Sequence, residues 1–129
     1  MIVGLGTDLV GVERIRGIYQ RQGQRFLDKV YTGDEQSYCL SARDPAERLA
    51  ARWAAKEAVM KALGTGWAKG VDFTHISVIS TDGPPRLSLS HRAAEIASAR
   101  LVERWHLSLS HSDGMAIAMV IAESASSAS

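Results

Sequence analysis

Little in this chain announces a class at first reading. One cysteine, Cys39, stands among 129 residues, so no intramolecular disulfide is possible and a reducing compartment fits best. Charge of neither sign is in excess. The formal net charge of +1 gives no global reason to expect nucleic acid and leaves any electrostatic partner to local clusters. No run approaches the roughly 18 apolar residues of a membrane span. The opening MIVGLGTDLVGVER has no basic leader and reaches Asp8 before a signal-like apolar stretch is long enough. Internal repeats and interdomain linkers are missing too. What remains is ordinary globular composition, 46% hydrophobic and 22% charged, sufficient for one domain around a single core. A free-standing, soluble, cytoplasmic protein with neither nucleic acid nor membrane as partner is expected.

Residues 2–10, IVGLGTDLV, read as a buried strand, and the following VERIRGIYQRQGQRF as a helix ended by Gly23. Thr32 with Glu35 three residues later forms a capping-box pattern for a short helix through Cys39. The clearest element begins at RDPAERLAARWAAKEAVMKALGTG. There Asp44 is the expected N-cap, Pro45 suits the first helical position, Glu47 stands where a capping-box acid belongs, and Gly64 is placed to close about five turns in the left-handed conformation. FTHISVIS (73–80) reads as a strand, TDGPP as a turn and RLSLS as a second strand. Ser90 is the expected cap of a helix running to about Arg104, with Ala93, Ala94, Ala97 and Leu101 inward. WHLSLSHSDGMAIAMVIA alternates on both sides of a Ser-Asp-Gly turn, a hairpin signal. The fold class predicted is α+β: a small, mostly antiparallel sheet packed with a long central helix and shorter helices. One domain spans 1–122, and 123–129 form a polar tail without core-forming residues, expected to be flexible.

The long helix carries one awkward pair. At about 100° per residue, with Arg48 at zero, its alanines sweep from about 200° to about 340°, while Glu57 falls near 180° and Lys61 near 220°. Both charges border the small-residue face, and Arg48, Arg52 and Lys56 form a separate basic stripe. A Glu–Lys pair four residues apart is ordinarily a surface salt bridge worth a few tenths of a kcal/mol. Charges bordering a core face carry a desolvation cost unless something compensates them. A divalent cation and a phosphate would do so. Asp8 raises the same question inside an apolar strand, where its plain reading is a solvent-facing strand end or a cap for the next helix. Gly4 and Gly6 add room for close backbone approach. Two carboxylates with open positions for water and phosphate oxygens suit Mg2+.

GTDLVGVERI, RWAAKEAVMKALGTG and HLSLSHSDGMAIAMVI resemble, in order and spacing, the three signature stretches of the holo-acyl-carrier-protein synthases. These are small 4′-phosphopantetheinyl transferases of fatty-acid synthesis, and the likeness covers nearly the whole chain up to its serine tail. The central W-x-x-K-E-A-x-x-K-A-x-G pattern is the specific one. The resemblance implies transfer of phosphopantetheine from coenzyme A to a serine of an acyl carrier protein, with release of 3′,5′-ADP. It makes Asp8 and Glu57 the Mg2+ ligands, directly or through water, and Lys61 the lysine beside the pyrophosphate. Arg52, Gly64, Pro85 and His111 join Lys61 in binding coenzyme A. The proton of the attacking serine goes to a metal-activated water, Glu57 or Asp8. Family members dock their acidic carrier on basic residues of the first helix, which here means Arg14 and Arg21, two turns apart, with Arg25. They are also typically homotrimers with active sites between subunits.

Each of these residues has a plainer reading. His111 beside Ser112–Asp113–Gly114 is on its own a polar hairpin residue, and the arginines are on their own a solvated helix face. Two positions depart from the family pattern: Gly11 stands where an acid is common, and Pro84 where a lysine is. Neither touches Asp8, Glu57 or Lys61. The rival classes are a module that binds coenzyme A or carrier without transfer, and a scaffold whose Glu57–Lys61 pair is a salt bridge. A scaffold's melting temperature ignores Mg2+ plus coenzyme A, whereas ligand binding to the native state raises it.

Overall fold

A computed structural model describes residues 1–66 and 69–125. In chain order the elements are β1 (Ile2–Gly11), α1 (Val12–Gln22), α2 (Gln24–Val30), α3 (Gly33–Leu40), α4 (Ala46–Leu63), a 3-10 turn (Phe73–His75), β2 (Ile76–Ile79), β3 (Arg86–Leu89), α5 (His91–Ala99), β4 (Val102–Ser112) and β5 (Met115–Ser124). The strands form two antiparallel sheets, a three-stranded one ordered β1–β5–β4 and the β2–β3 hairpin. The α+β class and antiparallel pairing expected from the sequence are both present.

Helix α4 is the axis of the core. Ala50, Ala54, Ala55 and Ala58 are fully buried. Small side chains bring main chain to main chain: a Cβ on Gly6 would stand 1.8 Å from the Ala58 carbonyl oxygen, and one on Gly4 2.3 Å from that of Ala62. Strand β1 therefore lies directly on the helix. Because alternate strand residues share a face, Gly4, Gly6, Asp8 and Val10 all point toward α4. The outer face of β1 and β5 in the same sheet is largely apolar and open. Leu5 (62%), Leu9 (59%) and Met119 (48%) are exposed with Met115 and Ile117, and Leu9 pairs with Ile117 across β1 and β5.

The local signals of the sequence are visible in the caps. Thr32 and Glu35 make the capping box of α3, and Gly64 closes α4 at φ 73°; at the other end of α4 Pro45, not the expected Asp44, takes the N-cap position, while Asp44 Oδ1 still accepts from Ala46 N at 3.2 Å. Asp113 and Gly114 both have positive φ, as the tight β4–β5 turn requires. Glu47 turns away from a capping role and stands 3.4 Å from His111 Nδ1.

Four further expectations need correction. The helix predicted from Ser90 to Arg104 stops at Ala99. Leu101, expected inward, takes a left-handed φ of 63° and is 72% exposed. The segment beyond it joins the sheet, with Val102 opposite Ser124 and Arg104 opposite Glu123. A ladder of backbone hydrogen bonds there outweighs helical propensity. For the same reason β5 continues to Ser124, into the segment predicted as tail; 126–129 lie outside the described residues. The strand predicted over 73–80 begins only at Ile76, since Phe73–His75 wind into a 3-10 turn begun at Asp72.

Lys56 is the fourth. Placed by periodicity on a basic stripe, it is completely buried. Its ammonium donates to Glu35 Oε1 at 2.6 Å, to the Phe73 carbonyl at 3.1 Å and to the Ile76 carbonyl. Glu35 also accepts from Val78 N and Thr32 N, so one ion pair ties α3, α4 and β2 together. Burial lowers the proton affinity of the Lys56 amine, and Glu35 opposes that shift. Removing one partner strands the other charge: Lys56→Met is expected to cost about 3 kcal/mol in urea unfolding, and adding Glu35→Leu should regain little, since Val78 N and Thr32 N then lose their acceptor.

Candidate active site

Asp8, Glu57 and Lys61 meet where β1 crosses α4. Lys61 Nζ donates to Asp8 Oδ1 at 3.1 Å and to the Thr7 carbonyl at 2.9 Å. Asp8 is largely enclosed, at 16% side-chain exposure, while Lys61 is half open at 52%. The Glu57 carboxyl has its proton affinity raised, first by burial and then by the negative charge of Asp8; Lys61 and Arg14 pull it back. A Glu57 carboxyl made costly to ionise beside Asp8, with a single half-exposed ammonium at hand, forms a site short of positive charge. That donor set fits a hard divalent cation. Among the described residues no cluster of three or more His, Cys, Asp or Glu could hold a metal, so further ligands to such an ion would come from water or substrate oxygens.

Arg52 and His111 are brought together, but elsewhere. They line a cleft of about 230 Å3 with Tyr38, Glu47, Arg48 and Leu109. The Arg52 guanidinium is buried, donates to Ser80 Oγ at 2.7 Å and stacks 4.6 Å above the Tyr38 ring. Arg48 lies 4.2 Å from the same ring. Arg52 Nε is buried without a partner among the described residues. Two guanidiniums and an imidazole converging on one cleft, with a donor unsatisfied, suit an anion. Arg48 and Tyr38 extend the set read from the sequence.

These two clusters occupy opposite flanks of α4, since Arg52 and Glu57, five residues apart, project about 140° from each other. Gly64 is the helix's left-handed cap. Pro85 stands in the loop before β3 and lines neither cluster. Arg14 is exposed on α1, its guanidinium 5.7 Å from the Trp53 ring. Trp53 precedes Glu57 by one helical turn, which accounts for the pull of Arg14 on Glu57. Arg21 and Arg25 are exposed on α1 and α2, beside an apolar groove of about 200 Å3 lined by Ile18, Phe26, Trp53 and Phe73 among others.

Residues 4–120 match the family model of the 4′-phosphopantetheinyl transferase superfamily. A holo-[acyl-carrier-protein] synthase of Gloeobacter violaceus is 48% identical over 123 residues, covering 90% of this chain and 89% of that one. The crystal structure of holo-[acyl-carrier-protein] synthase from Neisseria meningitidis superposes with a TM-score of 0.86 at 34% identity, covering 95% of this chain and 99% of its own. A holo-(acyl-carrier-protein) synthase from Bacillus anthracis in complex with CoA (3′,5′-ADP) gives 0.80 at 35% identity, covering 97% and 99%. With the fold, the motifs and these likenesses in agreement, the chain belongs to the 4′-phosphopantetheinyl transferase superfamily, alongside its holo-[acyl-carrier-protein] synthases.

Proposed function

We propose that this protein transfers the 4′-phosphopantetheine group of coenzyme A to a serine hydroxyl of an apo acyl carrier protein, with Mg2+ as cofactor. The serine oxygen forms a bond to the phosphorus that carries pantetheine, the bond from that phosphorus to the bridging pyrophosphate oxygen breaks, and 3′,5′-ADP leaves with the electron pair. The observation that carries this reading is the convergence of Asp8, Glu57 and Lys61 at one strand–helix crossing. Displacement at a pyrophosphate phosphorus depends on positioning and charge neutralisation more than on covalent catalysis. Asp8 and Glu57 would hold the Mg2+. When bound, that ion neutralises phosphate oxygens as charge builds up on them. Lys61 adds its charge near the leaving oxygen. The serine proton passes to Glu57, to Asp8 or to a water held beside them.

Arg52 and His111, with Arg48, hold the phosphates at the nucleotide end of coenzyme A. They stand across α4 from Asp8 and Glu57, so the two clusters do not share one face of that helix. A homotrimer with active sites at the subunit interfaces, as the family resemblance implies, would let the two clusters meet across chains, and the exposed apolar side chains of Leu5, Leu9, Ile117 and Met119 supply surface for it. Among the described residues no helix is long and apolar enough to cross a membrane; a cytoplasmic place in fatty acid synthesis accompanies this reading.

Incubation with coenzyme A, Mg2+ and an apo carrier should add one phosphopantetheine to the carrier's mass, and no gain across several carriers sinks the proposal. Docking of the acidic carrier falls to Arg14, Arg21 and Arg25. Arg21→Glu, being far from the Asp8–Glu57 pair in its contacts, should raise the carrier's KM severalfold and leave that of coenzyme A unchanged. An unaltered carrier KM would place docking elsewhere.

A further inference from the structure

The ammonium of Lys61 does not pair with Glu57, its neighbour one turn back. Among the described residues no salt bridge joins those two, and Lys61 reaches across to β1 and takes Asp8 Oδ1 and the Thr7 carbonyl. It therefore occupies a carboxylate oxygen that a divalent cation would use. The two partners differ in freedom. Asp8 is held on a strand pressed against α4 and is mostly enclosed, whereas Lys61 is half exposed on a flexible stem. The lysine can withdraw and the aspartate cannot.

We propose that Lys61 is a stand-in cation: it neutralises Asp8 in the free protein, yields that oxygen to an arriving divalent cation, and only then is free to meet an anionic diphosphate. This inference rests on the reading that Asp8 and Glu57 hold a metal. Lys61 and the cation compete for one carboxylate, so removing the ammonium tightens divalent binding in the absence of coenzyme A. By linkage, any anionic ligand that draws Lys61 away from Asp8 tightens cation binding by the same factor that the cation tightens the ligand. Lys61 is thus a positioning residue toward the metal, in addition to its place beside the phosphates, and it sets an order in which cation and diphosphate reinforce each other.

The test is titration with Mn2+ as probe, followed by its free-ion paramagnetic resonance signal, with no coenzyme A present. Lys61→Met should bind Mn2+ about fivefold more tightly than the wild-type protein, a factor in keeping with a half-exposed ion pair. Lys61→Arg, which keeps the charge, should bind close to wild type, and Asp8→Asn more weakly. Equal or weaker binding in Lys61→Met, while Asp8→Asn still loses affinity, overturns the stand-in role and leaves the metal reading in place. If Asp8→Asn and the wild type bind alike, both fall together. A second readout uses 13C-labelled lysine: Mg2+ should move the Lys61 Cε resonance toward its position in Asp8→Asn, and an unmoved resonance speaks against the exchange.

Discussion

Glu57→Gln is expected to slow phosphopantetheine transfer by about 10²- to 10³-fold, the usual loss when one preorganised electrostatic group is removed from a site of developing charge. Its effect on stability should have the opposite sign. The Glu57 carboxyl is costly to ionise, because burial and then Asp8 raise its proton affinity in the folded protein. A carboxyl whose folded value lies above its unfolded one imposes no penalty below the ordinary glutamate range, where both states are protonated. The penalty grows as pH rises through the window between the two values and is complete above it. Glutamine carries no such penalty. Melting curves of the two proteins should thus coincide near pH 4, and the variant should melt progressively higher as pH rises to about 7. The mass of the carrier reports the first effect and circular dichroism the second. Full transfer activity in the variant would remove Glu57 from the metal site, and a stability gap that closes with rising pH would contradict the electrostatics described for it. A residue that lowers stability where it serves the reaction is the expected trade-off at a functional site.

Gly6→Ala should do the larger structural damage. The added methyl would lie 1.8 Å from the Ala58 carbonyl oxygen, a main-chain atom of a helix that cannot rotate out of the way. Strand and helix would have to part, opening the most tightly packed seam of the core. A cost of about 4 kcal/mol or more is expected, seen as a fall in Tm of about 15 °C for a domain of this size. Gly11→Ala is the control, since its Cβ would meet nothing within 4 Å. If Gly6→Ala melted like Gly11→Ala, the close approach of β1 to α4 would be wrong.

The sequence revealed most where a signal was local. The caps of α3 and α4 and the Asp113–Gly114 turn each depend on residues within a few positions of one another, so their chemistry was readable directly. Asp8 and Glu57 drew attention in the sequence because a carboxylate among apolar neighbours demands a reason, and the fold brings the two near each other. Lys56 was not, although a hint was there. At about 100° per residue it lies near 80°, between Leu63 near 60° and Leu49 near 100°, in an apolar sector rather than a basic one. Its partner Glu35 already had a sufficient local role as a capping acid, and nothing local says that one carboxylate serves a cap, a lysine and a strand at once. The end of α5 failed for a related reason. ASARLVERW is an acceptable helix alone, and only the pairing of Val102 with Ser124, twenty-two positions away, makes it a strand. The division of the site had an angular signature in α4, yet its meaning depends on which neighbours flank the helix, a tertiary fact.

The seam between β1 and α4 has one further consequence. Gly6 is two residues from Asp8, and Ala58 directly follows Glu57, so the spacing of the two main chains that carry these carboxylates is gauged by backbone resting on backbone. Side chains elsewhere in the core can be exchanged, and repacking absorbed, without resetting that gauge. Spacing fixed in this way resists gradual drift: it changes in steps the size of a methyl group or not at all. To move β1 relative to α4, a protein engineer would have to recut the strand–helix contact itself, because altering the residues around it leaves the ruler untouched.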